Sequence, residues 1–336
     1  MNPRVLHVDT ATELRGGQRQ LGYLLEHRPG DGWAGPPGAP LAGLIGRGPD
    51  VAMPAGLDPR GVIALARAAR RWDLVAAHTP HAHQVAQWAR VAGDFPLVVH
   101  RRVDFAPRHP ARYRAASAVV AVSAGVARVL AAAGVVENVV VVHDGVGTLP
   151  DAGPTPAPDA PRPWLTAVGA LVPHKGHRHL VEAMRTIPGT LWILGEGPLR
   201  AALERHARDL GLGARVRLPG TVAPIGAWLR AVDAVVHPSV EEGFGQVVVE
   251  ALAVGARVVA TRAGGLPEAL GEAGWLVDVG SAEALAAGVR AALEGPDRDG
   301  AVAHAARFDV ARMVARTVEV YGRVAAVFKG SGARAR

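Results

Sequence analysis

Cysteine is absent from all 336 residues. That excludes disulfide scaffolding, thiolate zinc sites and cysteine nucleophiles. Lysine is nearly absent: of 37 basic residues only Lys175 and Lys329 are lysines, and the rest are arginines. Aromatic residues make up 4%, and no helix-turn-helix, zinc-finger or base-stacking signature accompanies the basic surplus, so nucleic acid is not an expected partner. No apolar run reaches the ~20 residues of a membrane span; the most apolar stretch, 118–142, is broken by Ser123, Arg128, Glu137 and Asn138. The opening MNPRVLHVDT reads as a strand without the apolar core of a secretion peptide. The expected location is the cytoplasm, with peripheral contact at the inner membrane face.

What is present is a globular composition, 49% apolar, in a chain long enough for two domains. The formal charge of +7 is uneven: residues 1–150 hold 16 Arg against 11 acidic residues, and the remainder 21 basic against 19 acidic. Such a surplus fits an acidic bilayer face, an anionic substrate or an ordinary solvated surface.

Both halves alternate short Val/Leu/Ile runs with helix-length Ala/Arg/Leu segments, the rhythm of a parallel sheet. Strands are predicted at 5–9, 41–46, 74–78, 97–100, 118–123 and 138–143, then at 165–169, 191–195, 216–218, 234–237, 257–261 and 274–277. Between the halves, 150–163 carries six prolines and no period, a linker by composition. The expected architecture is α/β: two Rossmann-like, doubly wound parallel-sheet domains facing an interdomain cleft, with ligands at the carboxyl ends of strands. The boundaries read 1–149 for the first domain, 150–163 for the linker, 164–308 for the second domain, 309–328 for a helix crossing back to the N-terminal domain, and 329–336 for a disordered tail.

The segment EEGFGQVVVE, 241–250, carries the most chemistry. A strand runs into Gly243-Phe244-Gly245 and then into an apolar helix. The missing side chains permit close backbone approach, and the first-turn amides of Gln246 and Val247 suit phosphate oxygens. Two carboxylates, Glu242 and Glu250, flank that turn, which suits a ligand with hydroxyls as well as phosphates, such as a sugar nucleotide. In so arginine-rich a chain, Lys175 inside a motif suggests that a compact point charge is wanted for phosphate. Gly16-Gly17 after the first strand is a second glycine loop. His100 at the end of LVVH reads either as a sugar-hydroxyl or charge-stabilising contact or as a satisfied core histidine. HTPHAH, 78–83, reads as a loop at the acceptor mouth, and Asp297-Arg298-Asp299 as a surface loop rather than a metal site, so no metal ligand is predicted.

In order along the chain, RGG at 15–17, VAVS at 120–123, HDGVG at 143–147, VGALVPHKGHRHL from Val168, ILGEGP from Ile193, HPSVEEGFGQVVVEAL from His237 and TRAGGLPE from Thr261 resemble the retaining glycosyltransferases of family 4, group 1 glycosyl transferases of GT-B fold. The resemblance covers nearly the whole length. It implies transfer of a sugar from a nucleoside-diphosphate sugar, UDP or GDP type, to an acceptor hydroxyl in glycan, glycolipid or polysaccharide synthesis, with retention and without metal or other cofactor. It implies donor contacts from Gly16, Gly17, Lys175, Glu196, Gly243, Phe244, Gly245, Gln246, Val247 and Glu250, with Glu250 on the ribose, and places His100 and Glu242 as catalytic residues beside the donor sugar. The family arginine that precedes the lysine by five residues is Ala170 here, so Arg15 and Arg19 are candidate substitutes. Arg101, Arg102, Arg108, Arg112 and Arg114 suit an anionic or lipid-linked acceptor. A GT-B phosphorylase, a nucleotide-sugar epimerase and a non-catalytic sugar-nucleotide binding protein remain as alternatives.

Overall fold

The protein is described by a computed structural model covering residues 2–54, 58–157, 159–296 and 300–334. The Asp297-Arg298-Asp299 segment lies outside the described residues. The chain forms two compact units, Met1–Gly145 with Val310–Arg336, and Val146–Asp309.

The first unit runs β1 (Val5–Val8), α1 (Gly16–His27), β2 (Gly32–Gly35), α2 (Pro40–Ile45), β3 (Val51–Ala52), α3 (Pro59–Ala69), β4 (Leu74–Ala77), α4 (Pro80–Ala92), β5 (Leu97–Arg101), α5 (Pro110–Arg114), β6 (Ala118–Ala121), α6 (Ala124–Ala132) and β7 (Val139–Val141). Its seven strands lie in the order β3-β2-β1-β4-β5-β6-β7, every pairing parallel. The inner strands are buried on both faces, which is why they read as continuous apolar runs instead of alternating ones. The strand order reverses between β1 and β4. In such sheets the crevice at the carboxyl ends of those two strands receives the ligand.

The second unit runs β8 (Trp164–Val168), α7 (His177–Ala183), β9 (Thr190–Leu194), α8 (Arg200–Asp209), β10 (Val216–Gly220), α9 (Gly226–Ala231), β11 (Ala234–His237), α10 (Gln246–Ala253), β12 (Val258–Thr261), α11 (Leu266–Leu270), β13 (Trp275–Val277), α12 (Ala282–Glu294) and α13 (Ala301–Ala305). The order β10-β9-β8-β11-β12-β13 is again fully parallel, with its reversal between β8 and β11. Helix α14 (Val310–Arg334) then joins the first unit, burying Met313, Val320, Tyr321 and Ala325 among residues of β1, β4, β5 and β6. The two units are Rossmann-like α/β domains.

Four sequence expectations change. Residues 40–45 are helix α2, not a strand: Pro40 opens it, where its fixed φ and missing N–H cost nothing, and Gly46 closes it at φ 69°. The strand in that region is Gly32–Gly35, concealed by its glycines. A Cβ on Gly35 would lie 2.4 Å from the Asp9 carbonyl, and one on Gly32 would lie 2.5 Å from Trp72. The 150–163 stretch packs on the second unit: Arg230 donates to the Leu149 and Pro150 carbonyls, and Trp164 Nε1 donates to Ala160 O. Finally, α14 continues helically through Lys329 to Arg334 where a disordered tail was expected, with the Lys329 ammonium 2.8 Å from Asp73.

Candidate functional site

In the second unit the two loops that flank the strand reversal meet. After β8, a short turn at Pro173–Lys175 ends at Gly176, whose left-handed φ of 64° only glycine adopts cheaply; a Cβ there would lie 2.0 Å from the Pro238 carbonyl. The loop after β11 is tied to this turn by Val240 N–H donating to His174 O at 2.7 Å. The Lys175 stem runs over Gly169, where a side chain would touch it at 3.6 Å.

The Lys175 ammonium therefore reaches Glu242 Oε2 at 2.5 Å, and the same oxygen takes His237 Nε2 at 2.7 Å and Ser239 Oγ at 3.3 Å. The Lys175 and Glu242 side chains are only 19% and 13% exposed. Burial pushes the Glu242 carboxyl upward, but the charge of Lys175 and the hydrogen bond from His237 outweigh it and hold the group far below the usual carboxylate range. Glu242 is therefore a carboxylate that accepts and does not donate. His177, buried beside this cluster, is lowered to about 4 by burial and then by the proximity of His237.

Glu242 leads into the glycine turn. Gly245 sits at φ 98° and caps α10; a Cβ on it would strike Leu266 Cδ2 at 2.5 Å. Gln246, Val247 and Glu250 are half-buried on the first turns of α10, with no acidic residue in the first turn to offset the positive end of the helix. Phe244 is 2% exposed and its ring packs edge-on against Phe308 at 5.2 Å, so it holds the turn from inside. Glu196, after β9, is an exposed carboxylate chelated by Arg200 at 2.6 and 2.9 Å, and the Arg200 bond lowers its pKa. Its carbonyl accepts from Leu171 N–H at 2.8 Å, beside the Lys175 loop.

In the first unit the corresponding reversal carries histidines. His7 lies inside β1, His78 follows β4, and His100 lies near the end of β5. His100 stacks on His78 with ring centroids 4.3 Å apart, and its Nε2 meets Tyr321 Oη of α14 at 2.7 Å. His78 Nε2 meets His7 Nδ1 at 2.9 Å, and His7 Nε2 meets Asp31 at 3.3 Å. Burial lowers the pKa of all three histidines. The His100 ring is buried with its Nε2 edge on Tyr321, the geometry of a satisfied core histidine.

Gly16-Gly17 opens α1, where Gln18 accepts from Arg15 N–H at 3.1 Å and donates to Asp9 at 2.9 Å. HTPHAH is not a loop. Thr79 Oγ1 caps α4 by accepting from Ala82 N–H, and His81 and His83 lie in the first turn of α4. Of the first-unit arginines, Arg101 is buried and donates to Tyr113 Oη at 2.7 Å, a packing role, while Arg102 pairs with Asp144 at 3.1 Å. Arg15 pairs with Glu13 at 2.6 Å on the surface.

Sequence reasoning missed His237, Ser239, Asp31 and Tyr321. His237 and Ser239 lie inside a motif that was noticed for its carboxylates. Asp31 and Tyr321 are 24 and 221 positions from the histidines they bond, and no local pattern marks them.

Comparison with known proteins bears on this geometry. Residues 162–295 match the family model described as "Glycosyl transferases group 1". The lipopolysaccharide core biosynthesis glycosyltransferase LpsE of Rhizobium meliloti is 40% identical over 130 residues, 38% of each chain. D-inositol 3-phosphate glycosyltransferase 2 of Catenulispora acidiphila is 34% identical over 200 residues, 54% of this chain and 45% of its own. The chain thus spans less than half the length of these relatives. HepE of Anabaena, solved with UDP-glucose, superposes over 96% of this chain and all of its own with a TM-score of 0.83 at 24% identity, which establishes the fold. Residues 162–295 are a glycosyl transferases group 1 domain, carried on a chain of GT-B fold.

Proposed function

We propose that the protein is a retaining glycosyltransferase of family 4 that moves a sugar from a nucleoside-diphosphate sugar to an acceptor hydroxyl. The observation that carries this reading is the Lys175–Glu242 pair beside the Gly243–Gly245 turn. It sets a cation, a helix N-terminus and an ionised carboxylate at one strand reversal. Departure of the diphosphate builds negative charge on its oxygens. Lys175 and the first-turn amides of α10 are oriented to stabilise that charge in the transition state. Glu242, kept ionised, accepts from a sugar hydroxyl or faces the positive charge of an oxocarbenium-like centre. Glu250, one turn into α10, accepts from the ribose. Lys175 and the helix dipole carry the role a metal would otherwise have, so the reaction runs without one. The group 1 domain and the likeness to HepE, solved with UDP-glucose, support a UDP-type donor.

Thermal-shift screening of UDP-, GDP- and ADP-sugars names the donor, since a ligand of the folded state raises its stability by mass action. With that donor, Glu250→Ala and Lys175→Ala should each lose donor binding or turnover in a folded protein; unchanged activity in both rejects the site. Turnover abolished by chelator rejects the metal-free mechanism. Ala170, where the family carries an arginine, favours a second reading as a sugar-nucleotide binding protein; stoichiometric donor binding with no transfer to any acceptor would support it.

The acceptor in this reading is anionic or lipid-linked, met at the inner membrane face. The first unit supports it with Ile63 and Trp88 exposed on α3 and α4 among Arg60, Arg67 and Arg90, apolar anchors framed by cations. Among the described residues no helix is long and apolar enough to span a bilayer. Co-sedimentation with phosphatidylglycerol but not phosphatidylcholine vesicles is expected, and Trp88→Ser should weaken it.

A further inference from the structure

The buried histidines of the first unit form a hydrogen-bond chain with a forced direction. Asp31 receives two bonds from Arg28, at 2.5 and 3.0 Å, and its Oδ2 lies 3.3 Å from His7 Nε2. An ionised carboxylate accepts, so His7 carries its proton on Nε2 and its Nδ1 is an acceptor. His78 Nε2, 2.9 Å from that Nδ1, must then be the donor. That leaves His78 Nδ1 as a lone pair. The group facing it is Arg102, with Nη1 3.5 Å away, a long contact of the correct polarity. Arg102 Nε is held separately by Asp144 at 3.1 Å, and its Cδ lies where a side chain on Gly17 would come within 3.7 Å.

Arg102 is thus fixed from behind on two sides. Its stem passes the glycine loop at the carboxyl end of the sheet, and its side chain is 16% exposed. Among the described residues its Nη2 has no protein partner. A guanidinium so held loses little rotamer freedom on binding, and its Nη2 amino group remains to donate to an oxyanion oxygen.

We infer that Arg102 is an oxyanion-binding residue for a phosphoryl group, and that Asp31, His7 and His78 are positioning residues that keep its fork aimed. The inference rests on the glycosyltransferase reading only for the owner of the phosphoryl group, which is either the diphosphate of the donor or a phosphate on the acceptor.

The test is calorimetric titration of the full chain, with circular dichroism to verify folding. UDP and uridine are titrated alone, and inorganic phosphate is titrated into protein saturated with UDP. In Arg102→Ala one arm should weaken on the order of tenfold, the size of one charge-assisted contact. Arg102→Lys should recover part of it, and His78→Phe, with Arg102 intact, should weaken the same arm less. Loss confined to UDP and absent from uridine assigns the donor diphosphate. Loss confined to phosphate assigns a separate phosphate. Unchanged affinity in both arms overturns the inference, even where Lys175→Ala weakens UDP and so leaves the donor reading intact. Conversely, wild-type protein that ignores UDP rejects the donor reading, while the phosphate arm, then run without UDP, still decides on Arg102.

Discussion

The two units end their sheets in the same topology and equip that end with opposite electrostatics. At the β8–β11 reversal the buried groups are ions: Lys175 and Glu242 in contact, with His237 and Ser239 on the shared oxygen. At the β1–β4 reversal they are mostly neutral rings, three histidines and a tyrosine in one hydrogen-bonded and stacked assembly, with ions only at its margins. A buried ion pair contributes through partnership and is costly to halve. A neutral relay contributes direction, because each tautomer is set by the last. The fold fixes where a ligand site opens; side chains decide whether it meets charge or geometry there.

The sharpest way to break this contrast is Lys175→Met. It strands Glu242 as a buried carboxylate, at a cost of about 3–5 kcal/mol, and should reduce kcat by about 10² to 10³ with the identified donor. Stability and turnover both near wild type would mean that the pair is not the working centre of the second unit.

Acidification separates the units next. His83 is lowered by burial to about 4 from an ordinary 6.5. Between those values the unfolded chain binds a proton that the folded chain refuses, so stability is full above about pH 6.5 and falls toward pH 4. At about 1.4 kcal/mol per pKa unit the loss is on the order of 3 kcal/mol for this residue. His7, His78 and His100 act with the same sign in the same unit, whereas the second unit has His177. The depressed Glu242 keeps its contribution until pH falls below its ordinary 4.5. Hydrogen exchange, corrected for intrinsic rates, should show the first unit losing protection at higher pH than the second. Simultaneous loss would reject the contrast.

Tyr321→Phe tests the neutral assembly with less force. It leaves His100 Nε2 buried without its partner, at about 1–3 kcal/mol, and should lower the melting temperature while UDP affinity stays at the wild-type value. The smallest effect is reserved for the other lysine. Lys329 and Asp73 are 51% and 27% exposed, so Lys329→Met should cost only about 0.2–1 kcal/mol, and less in high salt. A loss as large as that of Lys175→Met would mean that burial does not set the difference between the two lysines.

Much of the fold was legible because parallel strands covered on both faces must be apolar throughout; runs such as LVVH and AVVH announce themselves. Gly32–Gly35 did not, because its glycines make room for Trp72 and the Asp9 carbonyl, and glycine in a sequence reads as a turn. At the site, Lys175 stood out by its rarity and Gly245 by the turn it had to make. The surroundings of Phe244 and His100 were not legible for one reason: local sequence does not say on which side of the backbone a ring is buried, and both rings point into packed interior.

What the sequence determined by itself is therefore whatever depends on neighbours in the chain: strand, turn and helix order, the glycine-capped start of α10, and a lone lysine among arginines. Tertiary structure alone decided which groups share a proton or a charge. Glu242 is an acceptor because Lys175, 67 positions away, reaches it, and Arg102 is aimed because Asp31 sets two histidine tautomers through contacts across the sheet. Hydrogen bonds act over about 3 Å, and only folding brings such distant residues within that range.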